Sequence, residues 1–369
     1  MQEELIYKLA LSLIPGIGGY TFKQLISYCG CAKEVFQAHP ARVLRIPGIG
    51  AHTHALIKNN ASLKDAQRVF DYCEKQKIKI LFHSDPEYPK RIKNIPDAPS
   101  VLYFKGNCDL NAKKAISIVG TRNASNYGIE VCKEIVGQLK KHNTLIISGL
   151  AYGIDITAHK ESINQKLTTV GVLAGGIDKI YPASHKVFAE KMIKNGGLLT
   201  EHPPGTIPDA PKFPARNRII AAFCDAVIVV EAAKKGGALI TADLANGYNK
   251  DVFAVPGNIY NTYSEGCNNI IKQHKANIFT NITDLEYYLN WDQETESVKK
   301  TEIDLEELQK DEKSIIIELK KNNSIIIDQL AWNTQIPVHK LASILLNLEF
   351  RGLINSLPGK KYSLSEVYK

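Results

Sequence analysis

Glycines, small polar residues and cations recur just behind the apolar runs of this chain. They fall at Gly120-Thr121-Arg122-Asn123, at Ser148-Gly149, at Gly175-Gly176 with Lys179 close by, at Arg216-Asn217-Arg218 and at Lys234-Lys235-Gly236-Gly237. Small residues let an anion approach backbone N–H groups at helix starts, and neighbouring guanidinium and ammonium groups add positive charge. Together they describe a phosphate-binding rim. The stretch "FPARNRIIAAF" from Phe213 is the sharpest case. Pro214 suits the first turn of a helix, yet Arg216 and Arg218 near that turn oppose the helix macrodipole. A bound anion reconciles the two; ion pairs with nearby acids such as Glu201 or Asp209 are the alternative. Phe213, Tyr152 and Tyr181 stand beside the cationic positions, where their rings either stack on bases or pack inward.

Other chemistry finds less support. Asp155 with His159, Asp178 with His185, and Glu201 with His202 are acid–base pairs in sequence. No activated nucleophile accompanies them, and Asp155 more simply begins a helix. The turn "GTRNASNYG" lacks G-x-G-x-x-G, and the next strand ends in Ser148-Gly149 without the acid that a ribose needs, so a dinucleotide is disfavoured. P-loop, H-E-x-x-H and G-x-S-x-G motifs are absent from the sequence. The seven cysteines are scattered, with no C-x-x-C pair, which fits reduced thiols in a cytoplasm. Cys29 and Cys31 are either a lone ligand pair or two structural thiols. No cofactor and no metal are expected.

The elements that must position the rim follow from periodicity. Apolar runs at 78–83, 100–104, 115–120, 144–149, 168–176, 197–201, 226–231, 251–257 and 277–280 read as strands covered on both faces. Amphipathic stretches separate them; Cys132, Ile135, Val136 and Leu139 share one helical face. Residues 76–289 are therefore expected to form a doubly wound, mostly parallel α/β sheet with its ligand beyond the carboxyl ends of the strands. Residues 1–75 read as short helices around two copies of one phrase, "LIPGIGGYTFKQLI" and "RIPGIGAHTHALI". Each is a helix-hairpin-helix-like turn that can hold a DNA phosphate, or a tight connection in a small bundle. Residues 290–312 form an acidic linker, and 313–369 give three helices, the second capped near Ser324, and a turn at Pro358-Gly359-Lys360-Lys361, the outline of a winged helix.

The net charge is +8, while the segment 291–313 holds nine acidic against four basic residues, so the rest of the chain is more basic than the total suggests. That distribution favours a polyanionic partner such as nucleic acid. No basic leader with a long apolar run opens the sequence, and no apolar run approaches the roughly 18–20 residues of a membrane span. A cytoplasmic protein without a membrane partner is expected. The third helix of 313–369, "VHKLASILLNLEFRGLI", is mostly apolar, which suits a core or protein-contact helix better than major-groove reading of duplex DNA.

The blocks "SIVGTRNASNYG", "ISGLAYGIDITAHK", "GVLAGGIDKIYPASHK", "LLTEHPPGTIPDAPKFPARNRIIAAFCDAVIVVEAA", "GGALITADLANGYNKDVFAVPG" and "EGCNNIIKQHKA" occur in this order. Through them the chain resembles the DprA/Smf family of DNA processing proteins. The resemblance implies an extended Rossmann-like domain that binds single-stranded DNA, flanked by a helical (SAM-like) N-terminal domain and a C-terminal winged helix. It also implies a homodimer formed through the Rossmann-like domain and partnership with a RecA-type recombinase during natural transformation, without enzymatic activity. The family's strand-binding pocket carries over to Arg122, Arg216 and Arg218, with the lysine pair Lys234-Lys235 beside them. Where the family has an Arg-Ser-Gly-Ser-like turn, this chain has Lys235-Gly236-Gly237-Ala238. Charge is kept and two hydroxyls are lost. The rival reading is a nucleotide-processing enzyme resembling the phosphoribohydrolases that carry P-G-G-x-G-T-x-x-E. The corresponding "PGNIYNTYSEG" keeps Pro256, Gly257 and Glu265 but lacks the second glycine and the Gly-Thr.

Overall fold

A computed structural model describes residues 2–59, 61–291, 308–322, 324–357 and 359–365. The chain forms two compact units, Met1–Asn290 and Trp291–Lys369. The change near residue 75 is a change of secondary structure within the first unit.

That unit opens with α1 (Gln2–Leu13), α2 (Gly19–Cys29), α3 (Ala32–Gln37), α4 (Pro40–Val43), α5 (Ala51–Lys58) and α6 (Ala61–Gln76). Both copies of the repeated phrase make the expected tight turn, with Gly16 and Gly48 in left-handed backbone at φ +84° and +82°. Their surroundings differ. A side chain at Gly19 would strike the Ala98 carbonyl, so the first hairpin is packed against the 98–100 segment, whereas nothing crowds Gly48 or Gly50. Lys58 is a brace, donating to the Phe36 and Ala38 carbonyls at 2.7 and 2.9 Å. Cys31 Sγ accepts from Glu34 N at the start of α3, and all seven cysteines are free.

All nine expected strands are present: β1 (Lys79–Phe82), β2 (Val101–Gly106), β3 (Ala115–Val119), β4 (Leu145–Ser148), β5 (Thr169–Val172), β6 (Gly196–Thr200), β7 (Ala226–Val229), β8 (Asp251–Ala254) and β9 (Asn277–Ile278). They lie in the order β1-β2-β6-β5-β4-β3-β7-β8-β9. From β6 onward in that order the strands pair in parallel, and β1 and β2 add an antiparallel edge. The short α7 (Lys90–Lys93) separates β1 from β2. The helices that follow are α8 (Asn126–Leu139), α9 (Ile154–Asn164), α10 (Lys186–Met192), α11 (Lys212–Ala222), α12 (Gly237–Gly247), α13 (Glu265–Lys272) and α14 (Ile282–Leu289). Strands β3, β4, β5 and β7 are buried along their whole length, as continuous apolar runs require. Their few hydroxyls are paired: Ser117 and Ser148 donate to the Ile220 and Ile118 carbonyls. One core joins β1, β2 and β6 residues such as Phe82, Tyr103 and Leu198 to Leu9, Leu25 and Ile57 of the helices; the other centres on Phe223, Val227 and Val229. The chain runs outward from β3 through β4, β5 and β6, then returns to place β7 on the other side of β3. That reversal is the topological switch point, where open α/β sheets bind ligands.

The second unit is a winged helix. Helices α15 (Lys310–Lys321), α16 (Ile327–Thr334) and α17 (Val338–Phe350) enclose Ile315, Leu330, Leu341 and Leu345 against the small sheet β10 (Ile325–Ile326), β12 (Lys361–Leu364), β11 (Ile354–Leu357). Its second helix starts later than the sequence suggests. Ser324 does not cap it, because Ile325 and Ile326 pair with Tyr362 and Lys361 and hold the chain extended, leaving Ile326 at the N-cap. Most of the acidic 290–312 segment lies outside the described residues.

Candidate nucleic-acid interface

At the switch point a cleft of about 350 Å³ opens at the carboxyl ends of β3, β4 and β7. The turn after β3 contributes Gly120, Thr121, Arg122 and Asn123. From α11 come Arg216 and Asn217, and from the turn after β7 come Lys235, Gly236 and Gly237. Three segments far apart in sequence thus converge as the rim pattern requires.

The two kinds of cation in this cleft differ in their freedom. Arg216 is 5% exposed, and its Nη1 donates to the Gly149 and Val172 carbonyls. Gly149 has no side chain because the guanidinium lies against it, 2.6 Å from where a Cβ would stand. Burial lowers the Arg216 pKa to about 10, with the Asp155 carboxylate opposing and Arg122 assisting that shift. Asp155, itself 7% exposed, accepts from Gly149 N and Ala151 N at 3.1 and 3.4 Å. Burial raises its pKa, and Arg216 pulls it back. The conflict between Arg216 and its helix dipole is thus resolved largely inside the protein, by carbonyls and a carboxylate. Arg122 and Lys235, in contrast, are exposed, and neither has an ion-pair partner among the described residues. The start of α12 lines the same cleft, and its N-cap Gly236 supplies no side-chain hydrogen bond to the first-turn amides.

Several expected contacts stand elsewhere. Arg218 pairs with Glu201, and its Nη1 donates to the Asp97 carbonyl at 2.8 Å, which is the ion-pair alternative for that residue. Lys179 lies 4.0 Å from Asp178 and Lys234 3.7 Å from Glu265, both outside the cleft lining. Gly175 and Gly176 pack under the 203–208 loop: a Cβ at Gly175 would meet Pro208 at 2.9 Å. Ser148 is buried and turned toward Ile118. Of the aromatic residues, Phe213 is linked to the cleft, with the Arg122 guanidinium 5.5 Å from its ring centre and Tyr181 edge-on at 5.6 Å. Tyr152 is half exposed, edge-on to His185 at 4.9 Å. Together Arg122, Phe213 and Tyr181 form a cation-and-ring path leading out of the cleft.

The acid–base pairs of the sequence do not meet as dyads. His159 Nδ1 lies 2.7 Å from Thr169 Oγ1, fully buried, and burial pushes its pKa down to about 3. His185 Nδ1 lies 2.8 Å from the Leu150 carbonyl. Sequence reasoning missed Asp155 and Tyr263 as lining residues. Asn123, within the turn after β3, donates through Nδ2 to Tyr263 Oη at 3.3 Å. Tyr263 sits well past the end of β8, so reading only the residues directly behind each strand overlooks it. Among the described residues no three His, Cys, Asp or Glu side chains cluster as a metal site, and no helix is long and apolar enough to cross a membrane.

Gly153 is the joint that fixes the Arg122 turn. Its φ is +74°, and a Cβ there would strike the Thr121 carbonyl and stand 2.7 Å from that of Arg122. Gly153→Ala is expected to cost about 1–3 kcal/mol and to weaken anion binding by displacing Arg122. Gly137→Ala, in the interior of α8 with open space around it, is expected to stabilise by about 0.5–1 kcal/mol. Urea melts of both variants test the pair; equal effects would refute the crowding at Gly153.

Comparison with known proteins agrees with this geometry. Residues 79–290 match the family model for DNA recombination-mediator protein A, and 300–360 match that of the DprA winged helix domain. The chain is 35% identical to Protein Smf of Synechocystis, over 73% of this chain and 69% of that protein. It is 39% identical to DNA processing protein DprA of Bacillus subtilis, over 64% of this chain and 83% of that protein. The X-ray structure of DprA from Streptococcus pneumoniae superposes with a TM-score of 0.62 at 31% identity, covering 77% of this chain and 97% of that one. A Helicobacter pylori DprA structure, described as giving insight into that protein's single-stranded DNA binding mode, covers 58% of this chain and 97% of its own with a TM-score of 0.53 at 28% identity. With the switch-point cleft, the parallel sheet and the winged helix all in place, the chain belongs to the DprA/Smf family of DNA processing proteins.

Proposed function

We propose that the cleft holds the sugar–phosphate backbone of single-stranded DNA. The observation that carries this reading is that two exposed cations, Arg122 and Lys235, line the same cleft as the uncapped start of α12, with no acid paired to either among the described residues. Exposed cations along a backbone track with a ring nearby are what sequence-independent single-strand binding needs. Asn217 helps shape this floor, its Nδ2 donating to the Gly237 carbonyl at 3.3 Å. The cleft, about 350 Å³ in volume, is proposed to take a single strand and, by size, not a duplex, without reading bases. In this proposal the protein is a cytoplasmic, non-enzymatic recombination mediator. As a homodimer formed through its Rossmann-like domain, it protects incoming single strands and passes them to a RecA-type recombinase.

The test is a fluorescence titration with a labelled oligonucleotide, single-stranded and duplex, at two salt concentrations. A salt-sensitive preference for the single strand is expected. Equal affinity for both forms, or none for either, would sink the assignment. Light scattering in solution checks the dimer, and a recombinase-loading assay on a coated single strand checks the mediator step.

A further inference from the structure

The start of α8 is the position that corresponds to the pyrophosphate site of dinucleotide-binding folds, since α8 follows the strand at the switch point. In this chain that position is already filled from within. Ser125 is the N-cap, and its hydroxyl accepts from Gly128 N at 3.1 Å. The other half of a capping box is normally an acid three residues on, reaching back to the N-cap amide. Here that residue is Gly128, and the acid arrives from the sheet instead. Glu231, just beyond β7, accepts from Ser125 N at 2.9 Å and from Ser125 Oγ at 2.6 Å. It is 1% exposed, and a Cβ at Gly128 would strike its carboxylate. The glycine leaves the slot, and Glu231 fills it with negative charge. The Glu231 carbonyl also accepts from Thr121 N at 2.7 Å, so this residue lies directly behind the Arg122 turn.

We propose that Glu231 is a specificity-determining residue: its carboxylate neutralises the start of α8 and denies that position to phosphate. The inference rests on the cleft being the site for DNA phosphate. Two helix starts flank the switch point. That of α12 is uncapped and shares the cleft with exposed cations, whereas that of α8 carries an internal anion. A phosphodiester backbone needs only the first. A nucleoside diphosphate or inorganic pyrophosphate concentrates charge on adjoining phosphates and meets the Glu231 carboxylate at close range. Glu231 therefore biases the cleft toward nucleic acid and against the free nucleotides that compete with it.

Calorimetric titration of the full chain with ADP, with inorganic pyrophosphate and with an oligothymidylate tests this in wild type, Glu231→Gln and Glu231→Ala. Glu231→Ala removes the charge and opens room, and ADP and pyrophosphate are expected to bind it about tenfold more tightly than wild type, the scale of a helix-terminus anion site. Glu231→Gln removes the charge alone and is expected to move the same way by less. Oligothymidylate affinity is expected to stay within about threefold in both. Unchanged ADP affinity in variants that keep the wild-type circular dichroism spectrum overturns the proposal. So does loss of the folded state in both, because the carboxylate is then a structural cap only. Failure of wild type to bind oligothymidylate overturns the cleft reading instead, and a gain in ADP affinity would still register independently.

Discussion

Arg122→Ala combined with Lys235→Ala is expected to weaken binding of a single-stranded oligonucleotide about 100-fold at low salt, with each single variant near tenfold. Both side chains are exposed at the cleft, and neither is held by an acid among the described residues. Their charge is therefore available to a phosphate without first breaking an internal pair. Removing either cation should also flatten the salt dependence, by roughly 0.7 in the log–log slope for a single strand, so about 1.4 for the double variant. The loss of affinity should be uniform across sequences, because phosphate contacts position the strand and carry no base information. Titrations of two unrelated sequences at several salt concentrations measure all three quantities. Affinity within threefold of wild type would remove both residues from the interface. Arg218→Ala is the internal contrast: its guanidinium is engaged by Glu201 and the Asp97 carbonyl, so a far smaller change in the slope is expected.

Arg216→Ala is expected to act mainly on stability, lowering it by about 3–5 kcal/mol. The substitution strands the Gly149 and Val172 carbonyls and leaves Asp155 without the cation that offsets its burial. It also leaves a void at the switch point, where the guanidinium now supports Gly149. Lysine is not an adequate replacement, because a single ammonium does not reproduce the planar fork that serves both carbonyls. Urea unfolding followed by circular dichroism is the measurement, with a large fall in the midpoint and an unchanged slope as the expected result. A wild-type midpoint together with lost DNA affinity would reassign Arg216 from scaffold to ligand contact.

Much of the fold was legible in the residues. The central strands β3 to β7 were marked by apolar runs because both faces of a parallel sheet are covered there, a condition that leaves a local imprint on each of them. The repeated Pro-Gly-apolar-Gly phrases announced their turns because a positive φ all but demands glycine. The late start of α16 was not legible: whether Ile325 and Ile326 extend or coil depends on pairing with Tyr362 and Lys361, more than thirty positions away. The glycine pairs show the same division. Gly236-Gly237 opens a helix onto the cleft, while Gly175-Gly176 makes room for Pro208, and the two are indistinguishable as dipeptides.

The sequence by itself determined which residues follow the carboxyl ends of the strands, and hence the rim proposed to bind an anion. Residue type and the place of each strand along the chain are local properties, written position by position. Only the tertiary structure decided which cations of that rim are available. Arg216 and Arg218 stand two residues apart in one motif, yet one faces carbonyls of β5 and the turn after β4, and the other faces Glu201 beyond β6. Arg122 and Lys235, more than a hundred positions apart, line one cleft together with an open helix start. Whether a charge is available to a ligand depends on the partners that folding brings to it, and those partners lie on other strands.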